Sequence, residues 1–92
     1  MAAIEQQEDA FVMIEDGREV GKVSYMPRED GVLLLDHTFV DQSMRGQHVG
    51  EQLVESVVEL ARERGVKIDP VCPFASALFE RKKEYEDVWQ RD

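Results

Sequence analysis

Residues 41–50 hold the side chains and glycines whose types and spacing are best suited to bind an anion. The segment ends in R-G-Q-H-V-G, from Arg45 to Gly50, and it precedes the strongest helical pattern in the sequence. The start of a helix presents unpaired backbone amides and about half a positive charge. Glycines let such a backbone approach a phosphate closely, and Arg45 and His48 would add positive charge. The pattern therefore predicts a phosphate-binding turn.

This turn differs from two common nucleotide-binding loops. No Gly-Lys-Ser/Thr follows it, as a Walker loop requires, and the G-x-G-x-x-G spacing of dinucleotide-binding folds is absent. On the local pattern alone, the alternative is a polar loop whose glycines serve only the turn geometry. Twenty acidic and eleven basic side chains give a net charge of −9. That charge opposes binding to nucleic acid or to an anionic membrane surface and would attract a cationic amine.

The elements on either side of the turn are predicted from their hydrophobic periodicity. Residues 32–40 form the most strand-like run, and their three consecutive leucines indicate a central strand buried on both faces. Residues 49–64 have apolar side chains at helical spacing with charged ones between them, which predicts an amphipathic helix. Gly65 is placed to end that helix. A strand, a turn and a helix therefore position the candidate anion site.

Shorter elements are predicted in the rest of the chain. Residues 10–15 and 19–26 read as strands joined by a hairpin turn at Asp16-Gly17. The elements predicted after the long helix are a strand, a helix and a last partial turn, at residues 66–71, 75–83 and 85–89. A helix between two strands favours a parallel crossover. We therefore expect an α+β fold, with an antiparallel N-terminal β-meander followed by a β-α-β-α unit.

The length and composition of the chain are those of one small domain. With 92 residues, 42% of them hydrophobic, residues 1–92 can form one core and not two. No apolar run reaches the roughly 20 residues of a membrane-spanning helix, and the acidic N-terminus lacks the hydrophobic stretch of a signal peptide. A single cysteine excludes an internal disulfide. These features predict a cytoplasmic protein.

The turn and its flanks resemble a known family. Arg45, Val49 and Gly50 fit the acyl-CoA-binding pattern Q/R-x-x-G-x-G/A of the GNAT superfamily of N-acetyltransferases, and His48 stands where that pattern has its first glycine. A side chain there raises the free-energy cost of a positive φ angle. The stretches D-H-T-F-V and V-C-P-F-A, at residues 36–40 and 71–75, resemble the very small, single-domain members of this superfamily. The resemblance covers nearly the whole chain, from Phe11 onward.

The resemblance implies a binding site for acetyl-CoA and no need for a metal ion. The backbone of residues 38–40 would bond the pantetheine arm and polarise the acetyl carbonyl, while the side chains there would serve the core. Amides of residues 47–51, together with Arg45, would hold the pyrophosphate. The cofactor-binding residues expected in this way are Thr38, Phe39, Val40, Arg45, Gly46, Gln47, His48, Val49, Gly50 and Glu51. The basic run 81–83 is interpreted as a solvated face.

Two side chains are candidates for catalysis in such a site. Cys72 would lie near the thioester, and its thiol could accept the acetyl group or act on the leaving thiolate if the following helix lowers its pKa. Its alternative role is that of a small buried hydrophobic residue. His37 would lie beside the acetyl group and could remove a proton from an ammonium nucleophile. The alternative for His37 is a buried histidine bonded to the backbone.

The function that the resemblance implies is acetyl-CoA-dependent N-acetyl transfer to an unidentified amine, on a small molecule or on a protein lysine or N-terminus. The alternative is a non-catalytic CoA-binding or regulatory module with the same fold. The helices that usually shape the acceptor site do not precede the first strands, so the acceptor pocket should be open or completed by a partner. The protein is expected to be a monomer or a homodimer, without nucleic-acid or membrane partners.

Overall fold

The fold is built on one five-stranded sheet, in which the spatial order of the strands follows their order in the chain. The computed structural model describes residues 2–91. The first four strands pair antiparallel and the last two pair parallel. The strands are β1 (Ala2–Gln6), β2 (Ala10–Glu15), β3 (Arg18–Pro27), β4 (Leu33–Val40) and β5 (Ile68–Pro70). The predicted meander and parallel crossover are confirmed.

Two helices and two short 3-10 turns complete the fold. Helix α1 (Val49–Arg64) connects β4 to β5, and α2 (Pro73–Arg81) follows β5. The 3-10 turns are Gln42–Met44, just before α1, and Lys83–Val88, after α2. Helix α1 has the predicted bounds, and Gly65 ends it in the left-handed conformation with φ of 67°. No helix among residues 2–91 is long and apolar enough to cross a membrane.

Five predicted elements differ from the structure at one or both ends, and one strand was missed. The five are β3, β4, β5, α2 and the last turn. The sequence A-A-I-E-Q of β1 has no clear alternation, and all five of its side chains are exposed at the sheet edge. Strand β5 is only three residues long, because its pairing with β4 ends where Leu35 meets Pro70. Helix α2 begins two residues earlier than predicted, at Pro73, whose fixed φ suits a helix start.

The core lies between the sheet and the helices. Side chains of α1, α2 and the Lys83–Val88 turn form one cluster with buried residues of β2, β3, β4 and β5. Helix α1 approaches β3 so closely that a Cβ on Gly21 would lie 2.8 Å from Val49 Cγ1 and 3.0 Å from Leu53 Cδ1. Within residues 2–91, no helix covers the opposite face of the sheet, which we call the open face.

A β-bulge in β4 determines which side chains reach the open face. The register of β3 with β4 shifts between Ser24 and Tyr25, which pair with His37 and Leu35, so β4 contains one extra residue there. Leu35 is buried in the core, whereas His37 and Phe39 are exposed. The expectation that this strand is buried on both faces is therefore wrong for its second half. Thr38 and Val40 are half-buried on the helix side.

Candidate functional site

A cleft lies where the start of α1 meets the end of β4 and one side of α2. Its volume is about 510 Å³. Its lining residues are Val40, Met44, Arg45, Gly46, His48, Val49, Gly50, Glu51, Phe74 and Arg81. Seven of these are among the ten cofactor-binding residues expected from the sequence. Thr38, Phe39 and Gln47 do not line the cleft.

The turn before α1 is held in place by local hydrogen bonds. The carboxylate of Asp41 accepts a bond of 3.2 Å from the Ser43 amide and another from its hydroxyl. These hydrogen bonds lower the pKa of the Asp41 carboxyl, with the Ser43 hydroxyl as the main cause, and the nearby charge of Arg18 lowers it further. The amide of Gln47 donates to the carbonyl of Met44 at 3.3 Å and is thereby engaged within the turn. These hydrogen bonds fix the conformation of the turn that leads into α1.

His48 holds the conformation for which glycine is usually needed. It is the residue that precedes α1, and its φ and ψ of 59° and 30° are left-handed. The first backbone bond of α1 runs from the Gln52 amide to the His48 carbonyl, at 3.0 Å. The amides of Val49, Gly50 and Glu51 therefore stand at the helix start without an intrahelical acceptor. Three donors and the helix dipole face the cleft, as an anion site requires.

Gly50 is fixed by close packing against an aromatic ring. A Cβ at this position would lie 2.7 Å and 2.9 Å from two ring atoms of Phe74, and 3.4 Å from Val40 Cγ2. The Phe74 ring thus forms the wall of the cleft that faces the first turn of α1. A Cβ at this position would push the outer atoms of the Phe74 ring away from the helix, so the glycine lets the ring lie close to the first turn of α1. Phe74 was not among the cofactor-binding residues expected from the sequence.

Two basic side chains at the end of α2, those of its last residue Arg81 and of the following Lys82, reach the same helix start. Lys82 Nζ lies 2.9 Å from one carboxylate oxygen of Glu51, and a guanidinium nitrogen of Arg81 lies 3.7 Å from the other. The hydrogen bond from Lys82 is the main cause that lowers the pKa of Glu51. Arg81 also lines the cleft. The basic run 81–83 is therefore more than a solvated face, because two of its members neutralise a carboxylate beside the candidate phosphate site.

A gap opens within the sheet next to this cleft. The carbonyl of Leu35 accepts bonds from both the Val71 amide, at 3.1 Å, and the Cys72 amide, at 3.0 Å. Beyond this point, no strand of the described chain pairs with β4 on the side of β5. Alternate residues of an antiparallel strand direct their amide and carbonyl groups away from the partner strand. Residues 38–40 therefore offer backbone donors and acceptors to the gap.

Cys72 lies at the closed end of the gap. Its sulfur is 3.5 Å from the Thr38 hydroxyl oxygen, and the residue is 8% exposed. Burial raises the pKa of the thiol, but the Thr38 hydroxyl and the amides of Ala75 and Phe74 at the start of α2 outweigh it, so the pKa lies below its usual value. Cys72 is thus buried, as the hydrophobic alternative requires, and also surrounded by groups that favour the thiolate.

His37 occupies a different place from Cys72. The bulge directs its exposed side chain to the open face, whereas the neighbouring Thr38 contacts Cys72 from the helix side. The structure therefore does not bring the two candidate catalytic side chains together. No three metal-ligating side chains cluster in residues 2–91.

A comparison with protein families agrees with this geometry. The sequence profile described as GCN5-related N-acetyl-transferase matches residues 10–88. Among solved structures, a GCN5-like protein from Staphylococcus aureus, described as a candidate N-acetyltransferase, is 32% identical with a TM-score of 0.80. The match covers 96% of this chain and 87% of that one. No curated protein sequence matches the chain.

More distant structures share the fold alone. The ribosomal-protein-S18-alanine N-acetyltransferase from Escherichia coli is 23% identical, with a TM-score of 0.64, over 83% of this chain and 53% of that one. The aminoglycoside N-acetyltransferase AAC(6')-Iy, solved in complex with CoA, is 20% identical with a TM-score of 0.61, over 78% of this chain and 63% of that one. The chain thus spans less than two thirds of these two proteins.

Proposed function

Because the chain belongs to the GCN5-related N-acetyltransferase family, we propose that it binds acetyl-CoA in the cleft at the start of α1 and transfers the acetyl group to an amine. One observation carries this proposal: an anion-binding helix start and a gap lined by backbone groups adjoin each other, and the gap ends at a thiol. An elongated ligand with phosphates at one end and a thioester at the other matches that arrangement.

The residues have distinct roles in this proposal. The amides of Val49, Gly50 and Glu51, with the guanidinium of Arg45, bind the pyrophosphate. The backbone of residues 38–40 bonds the pantetheine arm as a further strand would and orients the thioester. Arg81 and Lys82 offset the charge of Glu51, which would otherwise repel the phosphates. Binding at several separated points fixes the position of the reacting carbonyl, which supplies much of the rate acceleration.

The transfer itself has two possible routes. In the direct route, the neutral amine attacks the acetyl carbonyl, the bond to the CoA sulfur breaks, and the amine loses a proton to a base such as His37 or water. In the covalent route, the Cys72 thiolate attacks first, forming acetyl-Cys72 and releasing the CoA thiolate. The amine then takes the acetyl group and the Cys72 thiol is restored. The position of Cys72 beside Thr38, in the gap, favours the covalent route.

The experiment that tests binding is a titration with acetyl-CoA followed by calorimetry. We expect saturable binding that is weakened at least about tenfold in Arg45→Glu, because a phosphate contact is replaced by a repulsive charge. Arg91→Glu is the matched control, since Arg91 pairs with Glu86 and does not line the cleft. Absence of binding at millimolar acetyl-CoA would contradict the proposal.

Intact-mass measurement distinguishes the two routes. After incubation with acetyl-CoA alone, the covalent route gives an adduct of about 42 Da, the mass of one acetyl group, that is lost in Cys72→Ala. An adduct that persists in Cys72→Ala indicates acetylation of lysines instead. Release of CoA that depends on an added amine shows turnover by either route.

A second candidate function is a CoA-binding module without catalysis. His48 at the position of the pattern's first glycine favours it, because the side chain strains the turn at the phosphate site. Binding of acetyl-CoA with neither an adduct nor amine-dependent CoA release would support this alternative. A cytoplasmic location and a monomeric or homodimeric state are part of the same proposal and stay predictions.

A further inference from the structure

The open face of the sheet carries most of the exposed large apolar side chains of the described chain. Phe39 is 44% exposed, Met26 55% and Val71 57%. Strand alternation places Met26 and Phe39 on the open face, because their neighbours Tyr25 and Thr38 face the core or the helices. Val71 follows the buried Pro70 directly after β5 and is the most exposed of the three. Leu34, half-buried, pairs with Met26 on the same face. The remaining two exposed apolar residues, Phe74 and Ile4, lie in the cleft and on β1.

We propose that this apolar patch, formed by Met26, Leu34, Phe39 and Val71, is the docking surface of the acceptor, and that the acceptor is a basic polypeptide segment. The inference rests on the proposed function, because it gives the amine of that reaction a place and a chemical class. The patch flanks the gap on both sides. Phe39 lies on the part of β4 that no longer pairs with β5, and Val71 directly follows β5. His37 is exposed between them, on the same face.

The direction of approach supports this placement. The phosphate cleft is on the helix side of the sheet, at the start of α1, so a cofactor that enters there reaches the gap from that side. An amine must meet the thioester from a direction that the cofactor does not occupy. The open face is that direction, because no helix of the described chain lies over it. An amine that arrives there also meets the exposed imidazole of His37.

The dimensions of the patch favour a polypeptide over a small amine. From β3 to β5 the patch crosses two strand spacings, about 10 Å, and from Leu34 to Phe39 it follows the strand for about 16 Å. An extended segment of four or five residues covers such a length, whereas a diamine or a free amino acid would leave most of the apolar surface in water. Alternating apolar side chains on either side of a lysine would match the patch.

The charge of the surface favours a basic segment. The chain carries a net charge of −9. Asp36, next to the patch, is exposed and accepts a hydrogen bond from Ser24, and it has no ion-pair partner among residues 2–91. Lys22 lies opposite Phe39 in the strand register, at the far end of the patch. Its positive charge would repel a basic residue of the acceptor, so a neutral residue is expected at that end. Basic residues of the segment would therefore lie toward Asp36.

The experiment is an NMR titration of the full chain with a defined probe, the peptide acetyl-Arg-Leu-Lys-Leu-Arg-amide. We expect the amides of Met26, His37, Phe39 and Val71 to shift, and Phe39→Thr or Val71→Thr to weaken binding about fivefold or more. Ile4→Thr removes an exposed apolar side chain of similar size elsewhere and should change nothing. The amide spectrum of each variant without peptide shows whether the fold is retained.

Several results would overturn the inference. If the amide signals that shift all lie on other surfaces, or if none shifts at millimolar peptide, this face is not the docking surface. Equal binding of a peptide in which glutamate replaces each arginine would exclude charge recognition. Concentration-dependent dimerisation that Phe39→Thr abolishes would show that a second copy of the chain covers the patch. The peptide titration needs no acetyl-CoA, so its failure is distinguishable from a failure of acetyl-CoA binding in the calorimetric titration.

Discussion

The sulfur of Cys72 lies 3.5 Å from the hydroxyl oxygen of Thr38, across the point where β4 and β5 separate. The two residues are 34 positions apart in the chain, so only the fold brings them together. Their contact connects the strand that would hold a thioester to the one thiol of the protein. It also gives a specific means of testing how the thiol is tuned.

Thr38→Val should make the thiol less reactive near neutral pH. The hydroxyl favours the thiolate, so its removal leaves the opposing effect of burial less compensated and the pKa of Cys72 rises. Because only the thiolate reacts with iodoacetamide, the pH profile of alkylation should move to higher pH, with a several-fold slower rate at pH 7. Thr38→Ser keeps the hydroxyl and should retain the native profile. An unchanged profile in Thr38→Val would show that the helix amides alone tune the thiol.

His48→Gly should stabilise the protein. A left-handed conformation costs a residue with a Cβ about 1–2 kcal/mol, and the greater freedom of glycine in the unfolded chain offsets about half of this. We expect a net gain of about 0.5–1 kcal/mol in the free energy of unfolding, measured by urea denaturation. His48→Ala keeps the strain and should show no such gain. Titration of both variants with acetyl-CoA then separates the effect of conformation from that of the imidazole.

Gly50→Ala should destabilise the protein and weaken acetyl-CoA binding. The added Cβ would overlap the outer atoms of the half-exposed Phe74 ring, so the ring must move, at a cost near the lower end of the about 1–3 kcal/mol of core overpacking. The measurement is urea denaturation of Gly50→Ala, Phe74→Ala and the double variant. If the clash is the cause, Phe74→Ala should restore much of the stability lost in Gly50→Ala. Gly46→Ala is the control: its strain comes from a φ of 83° with no atom near the new Cβ, so Phe74→Ala should not rescue it.

Glu51→Gln should strengthen acetyl-CoA binding. The substitution removes a negative charge beside the phosphate site and releases Lys82 and Arg81 from their ion pairs with it. Removing this repulsive charge from the helix start should raise the affinity about two- to fivefold. The gain should shrink as salt is added, since these side chains are partly exposed. Glu86→Gln, at an ion pair outside the cleft, should leave the affinity unchanged.

The sequence allowed the elements with strong patterns to be predicted, and those elements position the site. The bounds of α1 were correct because apolar spacing and Gly65 mark them locally. Strand β1 was missed because an exposed edge strand needs no alternating pattern, and β5 was predicted too long because its end depends on pairing with β4. The side of the cleft formed by the turn before α1 could be predicted, because the residues of its sequence pattern are consecutive in the chain.

The other side of the cleft could not be foreseen. Phe74 and Arg81 reach the start of α1 only because α2 packs beside it, and that packing depends on the whole core. The exposure of Phe39 follows from the bulge opposite Ser24, which no local residue type marks. Because His48 stands where the family pattern has glycine, the sequence did not show whether this residue has a positive φ angle. The structure shows that it does.

The two hydrogen bonds that the Leu35 carbonyl accepts, from the amides of Val71 and Cys72, also affect whether β4 can pair with a strand of another molecule. A free strand edge at the margin of a sheet can pair with a strand of another molecule and begin a fibre. Here the unpaired stretch of β4 lies inside the fold, between β3 and the start of α2, and a whole foreign strand would have to displace α2 to enter. The pantetheine arm of the proposed cofactor is narrower than a polypeptide strand, so it can reach the backbone groups of residues 38–40 where such a strand cannot.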